Sequence, residues 1–243
     1  MSREINRPIS VVIPARNEAL RLPAAVEAIH RSAKHAGFAP EIVVVDNRST
    51  DDTVTVAVNL GCRVVSDPTK NLSHIRNTGV RATSNPTVVT VDADSLVSMG
   101  FFAAVGRALN DSRIVGGGVL IFPERWSLGI VLTGALVGIL ALYYGITGGA
   151  FFFRRADFEA IGGFDEGVLS AEDIDFARRL KRHARSHGNR FANLYSAHIV
   201  TSCRKFDTFG DWYILLRPWL AVRLLRGNDR TLADRIWYDY TEN

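Results

Sequence analysis

Thr87-Val88-Val89-Thr90-Val91-Asp92-Ala93-Asp94 is a β-branched run that ends on two carboxylates. Such a run reads as a short buried strand. The chain before it repeats the plan. Ile9–Ile13 is a strand stopped by Pro14, and Ile42–Val45 is another, ending at Asp46. Arg63–Val65 gives a short fourth strand. Helical spacing fills the gaps: Leu22–Ala36 before Gly37, a helix from the capping run Thr50-Asp51-Asp52 to Leu60 before Gly61, and Ser73–Ala82. The β-α-β-α-β order predicts a parallel sheet with helices on both faces. Ligands of such sheets bind outside the carboxyl ends of the strands, where Asp46 and Asp92 fall.

The second half of the chain is less regular. Ile114–Phe122 and Ala150–Phe153 read as strands, Ala171–His187 as a charged helix, and Thr208–Arg226 as an amphipathic one. Trp126–Phe153 contains no charged residue. Its length raises a transmembrane reading, but a crossing would separate Asp94 from Asp173. The expectation is a buried helix or one facing an acceptor groove, with a lipid-facing helix as the remaining alternative.

The 243 residues suit one large α/β domain. The formal charge of +4 suits an anionic ligand or membrane surface and is too small to argue nucleic acid. Cys62 and Cys203 form no metal pattern, so a reducing compartment is expected. Met1–Arg7 is polar, without an apolar signal region, and the expectation is cytoplasmic.

Three motifs carry chemistry. Asp92 and Asp94, spaced i, i+2 at a strand end, can converge on Mg²⁺ or Mn²⁺, which favour oxygen ligands and substrate phosphates. Taken alone the pair is also an ordinary solvated turn. Pro14-Ala15-Arg16-Asn17-Glu18 can offer N–H groups and a cation to a nucleotide, or simply cap the next helix. In Ser170-Ala171-Glu172-Asp173, one carboxylate can serve as general base for an acceptor hydroxyl. The bland alternative is Ser170 capping a helix with an acidic first turn.

Six stretches together resemble the family 2 glycosyltransferases of GT-A fold: VVIPARNEALRLPAAVEAI, IVVVDNRSTDDTVTVA, HIRNTGVRAT, VVTVDADS, GGAFFFRRADFEAIGGFDE and SAEDIDFARRLKR. They cover residues 9–182 in the family's order. The resemblance implies an inverting, metal-dependent, non-processive hexosyltransferase, since no Gln-x-x-Arg-Trp motif is present. It implies a single Rossmann-like α/β domain over residues 1–205, with a nucleotide-sugar half (1–123) and an acceptor half (124–205), and a helical extension over 206–243. It assigns Pro14, Ala15, Arg16, Glu18 and Asp46 to the base and ribose, Arg76 to the nucleotide or diphosphate, and Asp92 with Ala93 to the ribose or sugar. Asp94 would hold the metal, Arg204 would face the leaving diphosphate, Asp173 would be the base, and Glu172 would help place the acceptor. The partners implied are a UDP- or GDP-sugar and a hydroxyl acceptor, lipid-linked acceptors included. Peripheral contact with the inner membrane face and oligomer formation stay open.

His198 is a further metal-ligand candidate, whereas His183 and His187 sit among arginines and read as surface. Three rivals remain. A nucleotidyltransferase would need a glycine-rich loop after the first strand, which PARNEALRL lacks. A non-catalytic scaffold would be favoured by loss of Asp94 or Asp173. A lipid-binding module would use residues 126–153 and 208–226.

Overall fold

Short β-branched runs set the frame. In the computed structural model, residues 8–213, 215–217, 219 and 229 are described. Strands β1 (Ile9–Ala15), β2 (Glu41–Asp46), β3 (Arg63–Ser66) and β4 (Thr87–Thr90) lie parallel in the spatial order β3-β2-β1-β4. Alternation along β1 sends Ile9, Val11 and Ile13 to one face of the sheet and Val12 to the other. Each face therefore has its own apolar core. Helices α1 (Leu22–His35) and α2 (Thr53–Asn59) supply the first core, and α3 (Leu72–Ala82) supplies the second. Gly37 and Gly61 stop α1 and α2 with φ of 83° and 76°, a left-handed turn that glycine adopts without strain. The cap chemistry before α2 comes from Asp51, whose carboxylate accepts the Thr53 and Ala19 N–H groups.

Beyond β4 the sheet is mixed. β5 (Ser95–Val97) leads into α4 (Phe101–Leu109) and then β6 (Ile114–Pro123). β7 (Phe151–Arg154) runs antiparallel to both β4 and β6. β8 (Arg190–Thr201) is parallel to β6, and β5 pairs antiparallel with its far edge. The mainly parallel sheet expected from the sequence is present: β6 and β8 run in the direction of the first four strands, and β7 and β5 are the antiparallel members. Glycines permit the close crossing here: a Cβ on Gly117 would lie 1.9 Å from the Ala192 carbonyl oxygen. One eight-stranded sheet, β3-β2-β1-β4-β7-β6-β8-β5, thus runs through both expected halves.

Helices α6 (Arg155–Ala160) and α7 (Glu172–Ser186) cover the second core, where Phe153, Phe158, Phe164 and Phe176 pack together. The N-cap of α7 is Ala171 in the left-handed region, at φ 55°. α8 (Arg204–Phe209) spans the expected domain boundary at residue 205. Of the expected helix over 208–226, residues 214, 218 and 220–226 lie outside the described residues.

The uncharged stretch forms α5 (Leu128–Tyr144), and here the expectation of a buried helix fails. Only Gly129, Ile130 and Thr133 are buried, and no described residue from 134 to 143 is. Apolar composition made the run look internal, but the helix leaves the body after its second turn. Among the described residues no helix is long and apolar enough to cross a membrane.

Candidate active site

The carboxyl ends of β1 and β4 open into one cleft of about 380 Å³. Pro14, Ala15, Arg16 and Glu18 line it from the loop after β1, and Asp92, Ala93, Asp94 and Ser95 from the turn after β4. Gly148, Gly149 and Asp173 line it as well, as do Ser202, Arg204 and Lys205. Motifs spread over almost two hundred residues therefore meet in one place.

The turn after β4 carries the acidic pair. Ser95 N–H donates to the Asp92 carbonyl, which tightens the turn. Burial, and then the neighbouring charge of Asp92, push the Asp94 carboxyl above its usual range. A bound cation would relieve that repulsion, so the pair fits a hard divalent ion. Among the described residues no group of three or more His, Cys, Asp or Glu could hold a metal. An ion here would complete its shell from phosphate oxygens and water, as Mg²⁺ commonly does. His198 does not join the pair. Its ring packs edge-on against Phe122 at 5.2 Å.

Arg204 ties the far end of the chain to the site. Its guanidinium donates to Glu18, and to Asp94 at 3.2 Å. Glu124 fastens this segment by accepting the Cys203 N–H at 2.8 Å and the Ser202 hydroxyl at 3.2 Å. Burial pushes the Glu18 carboxyl up, against the opposing pull of Arg204. Lys205 also lines the cleft, and burial brings its ammonium down to about 8 despite the carboxylates of Asp94 and Asp92. Lys205 belongs to the basic segment Thr201–Phe206, which the family resemblance sets against the leaving diphosphate.

Asp173 stands in the first turn of α7. Burial first, then Glu172, push its carboxyl up to about 6. Its Oδ1 accepts the Ile174 N–H at 2.8 Å. Its Oδ2 faces Gly148, where an added Cβ would lie 3.9 Å away.

Three expected site residues do not line the cleft. Arg76 donates to Glu172, and to Asp92 at 3.0 Å. Despite burial, those carboxylates hold its guanidinium more firmly charged. Glu172 is 4% exposed and turned towards Arg76, so it offers no free carboxylate to an acceptor. Asp46 is buried and its carboxylate accepts the Ser49 N–H. The residue lining the cleft at the end of β2 is the next one, Asn47, whose amide donates to the carbonyls of Asp67 and Thr69 at 2.6 Å each. His183 bonds Asp157 at 3.0 Å, far from this chemistry.

A curled mixed sheet with paired carboxylates at the end of its fourth strand is the GT-A arrangement. The model of glycosyl transferase family 2 matches residues 10–162, more than half of the chain, and the protein belongs to that family. An uncharacterized glycosyltransferase of Mycobacterium bovis is 40% identical over 92 residues, 38% of this chain and 39% of the relative. One from Rickettsia bellii is 32% identical over 98 residues, 40% of this chain and 31% of the relative. The chain thus matches less than half the length of these relatives. Among solved structures, a mannosyltransferase from Pyrobaculum calidifontis in complex with GDP-Man and Mn²⁺ superposes with a TM-score of 0.64 at 19% identity, covering 96% of this chain and 69% of that one. Glucosyl-3-phosphoglycerate synthase from Mycobacterium tuberculosis, in complex with Mn²⁺, UDP and phosphoglyceric acid, gives 0.61 at 23% identity, covering 90% and 79%.

Proposed function

We propose that this protein is an inverting, metal-dependent hexosyltransferase that moves a sugar from a UDP- or GDP-sugar to an acceptor hydroxyl. One observation carries the reading: Asp173 lines the same cleft as the Asp92–Asp94 pair. Complexes of the two solved relatives with Mn²⁺ and a nucleotide or nucleotide sugar support it.

Asp94, with Asp92, would hold Mg²⁺ or Mn²⁺, which when bound offsets the charge of the diphosphate. The loop from Pro14 to Glu18 and Asn47 receive the nucleoside. Arg204 and Lys205 supply positive charge at the diphosphate end. The acceptor enters past Gly148. Its oxygen bonds the anomeric carbon as the bond from that carbon to the diphosphate oxygen breaks, and its proton passes to Asp173. A single displacement inverts the anomeric centre. A carboxyl brought to about 6 is ionised at neutral pH yet more basic than an exposed aspartate, which suits a general base. Arg76 and Glu172 position this residue and do not touch the substrate.

The test is a thermal-shift panel of UDP- and GDP-sugars with and without Mn²⁺ or Mg²⁺, since a ligand that binds only the folded state raises Tm. Turnover assays with the responding donor follow. A response to neither nucleotide, with or without metal, overturns the proposal.

A further inference from the structure

Helix α5 is apolar on every side and exposed over most of its length. Seventeen residues span about 25 Å, and none carries a charge. Leu128, Leu132, Ile139, Leu142 and Tyr143 fall at helical i, i+3 and i+4 spacing on one outward face, and Leu142 is 78% and Tyr143 81% exposed. A helix that is hydrophobic all round is normally covered by protein or lipid. Contiguous exposed apolar surface on this scale marks an interaction site.

Both ends of the helix are fixed to the catalytic body. Ser127 caps its first turn by accepting the Ile130 N–H. At the other end Lys181 donates to the carbonyls of Tyr144 and Gly145 at 2.8 Å each. With both ends on one side, and a length below the roughly 30 Å of a bilayer's apolar core, α5 can dip into a membrane and not cross it.

The surroundings argue for lipid over a protein partner. Basic groups flank the C-terminal end of the helix. Arg178 stacks over Tyr144 at 5.2 Å, with exposed Arg182 and Arg185 further along α7. Beside the first turns, Asp211 packs on Gly129, and the segment continues to exposed Arg217. Exposed Trp126, Trp212 and Trp219 add indoles of the kind enriched at bilayer interfaces. An uncharged apolar rod with a basic cluster beside its C-terminal end complements an anionic surface.

We propose that α5 is a monotopic anchor that inserts into the headgroup–acyl boundary of an anionic bilayer and holds the acceptor side of the cleft at that surface. The chain leaves α5 at Gly145 and three residues later reaches Gly148, which faces Asp173. On the glycosyl-transfer reading, on which this clause rests, the acceptor is a hydroxyl borne on a lipid headgroup. The anchor itself is independent of that chemistry.

The test uses the full chain with vesicles of phosphatidylcholine containing about one-third phosphatidylglycerol, a composition that supplies the anionic surface such anchors require. Co-sedimentation is expected, with a blue shift of tryptophan emission, and weaker binding to pure phosphatidylcholine. Ile139→Glu with Leu142→Glu should lower partitioning by about tenfold or more, while Ile139→Leu retains it. The thermal shift with nucleotide sugar should be unchanged in the double variant, which shows that it folds. Failure of the wild type to bind, or binding by the double variant as tight as wild type, overturns the anchor. So does a wild-type dimer in solution that the double variant breaks without any vesicle binding, which makes α5 a face between two copies. Vesicle binding through α5 with no response to any donor upholds the anchor and removes the glycosyl-transfer reading alone.

Discussion

Arg76 grips the buried carboxylate of Glu172 from ninety-six residues away, and so fixes the turn of α7 from which the next residue, Asp173, enters the cleft. The same guanidinium reaches Asp92 at 3.0 Å, so one cation holds both the turn after β4 and the first turn of α7. The two turns are thereby locked at a set distance. Removing one member of a buried pair leaves the other charged and unpartnered, which costs about 3–5 kcal/mol. Arg76→Met should therefore lower Tm markedly, with the loss read by thermal melting at neutral pH. Glu172→Gln keeps the shape and leaves Arg76 on Asp92, so its loss should be the smaller of the two. Equal losses would mean that the pair contributes packing and no locking charge.

The acidic pair gives the second prediction. Asp94→Ala should abolish metal-dependent donor binding and leave the fold intact, because the side chain meets Arg204 at 3.2 Å and Ser95 weakly, at the rim of the sheet and outside both apolar cores. Calorimetric titration of UDP or GDP with and without Mn²⁺ reads this directly. A variant that turns over normally in the presence of a chelator would refute the metal assignment.

Gly148 sets the third. A Cβ there would already sit 3.9 Å from Asp173 Oδ2, so the two further methyls of a valine would occupy the space an acceptor needs. Gly148→Val should raise KM for the acceptor, with the donor Kd unchanged because the nucleotide contacts lie across the cleft. A rise in donor Kd without any change for the acceptor would reverse the two sides of the site.

How much of this was legible depends on how local each signal was. Strands β1, β2 and β4 announce themselves because a β-branched run stops at Pro14, Asp46 or Asp92, and α1 and α2 because Gly37 and Gly61 take positive φ. β8 does not, since its pairing with β6 shifts register twice and its burial loses alternation. Short α6 carries too few turns to show a period. For α5, hydropathy records composition and cannot say whether a neighbour covers it. At the site, Asp92, Asp94, Asp173 and the Pro14–Glu18 loop all line the cleft, as their motifs suggested. Glu172 and Arg76 misled because a buried pair so distant in sequence leaves no local trace. Asp46 misled because the alternation at a strand end decides whether it or Asn47 faces the ligand.

Asp173 carries the last prediction, through both stability and rate. Its carboxyl is raised in the folded state to about 6, above the ordinary aspartate range. The folded state thus binds the proton more tightly than the unfolded state does. That contribution is fully present below the unfolded value and is lost as pH rises through about 6. At pH above this window the ionised group burdens the fold, so Asp173→Asn should raise Tm there. The gain should fade as pH falls towards the unfolded value. In the rate, kcat of the wild type should climb with pH through the same window, because only the ionised carboxylate accepts the acceptor's proton. Asp173→Asn should lower kcat by at least about 10²-fold and keep donor binding. Asp175 is the control. It pairs with Arg179 at 2.6 Å along the helix, and Arg179 also donates to the Ile161 and Gly163 carbonyls. Asp175→Asn should retain most activity, with at most a small loss of Tm. A dead Asp175→Asn beside a working Asp173→Asn would move the base to Asp175. Loss of donor binding in both would place this turn of α7 on the nucleotide side of the cleft.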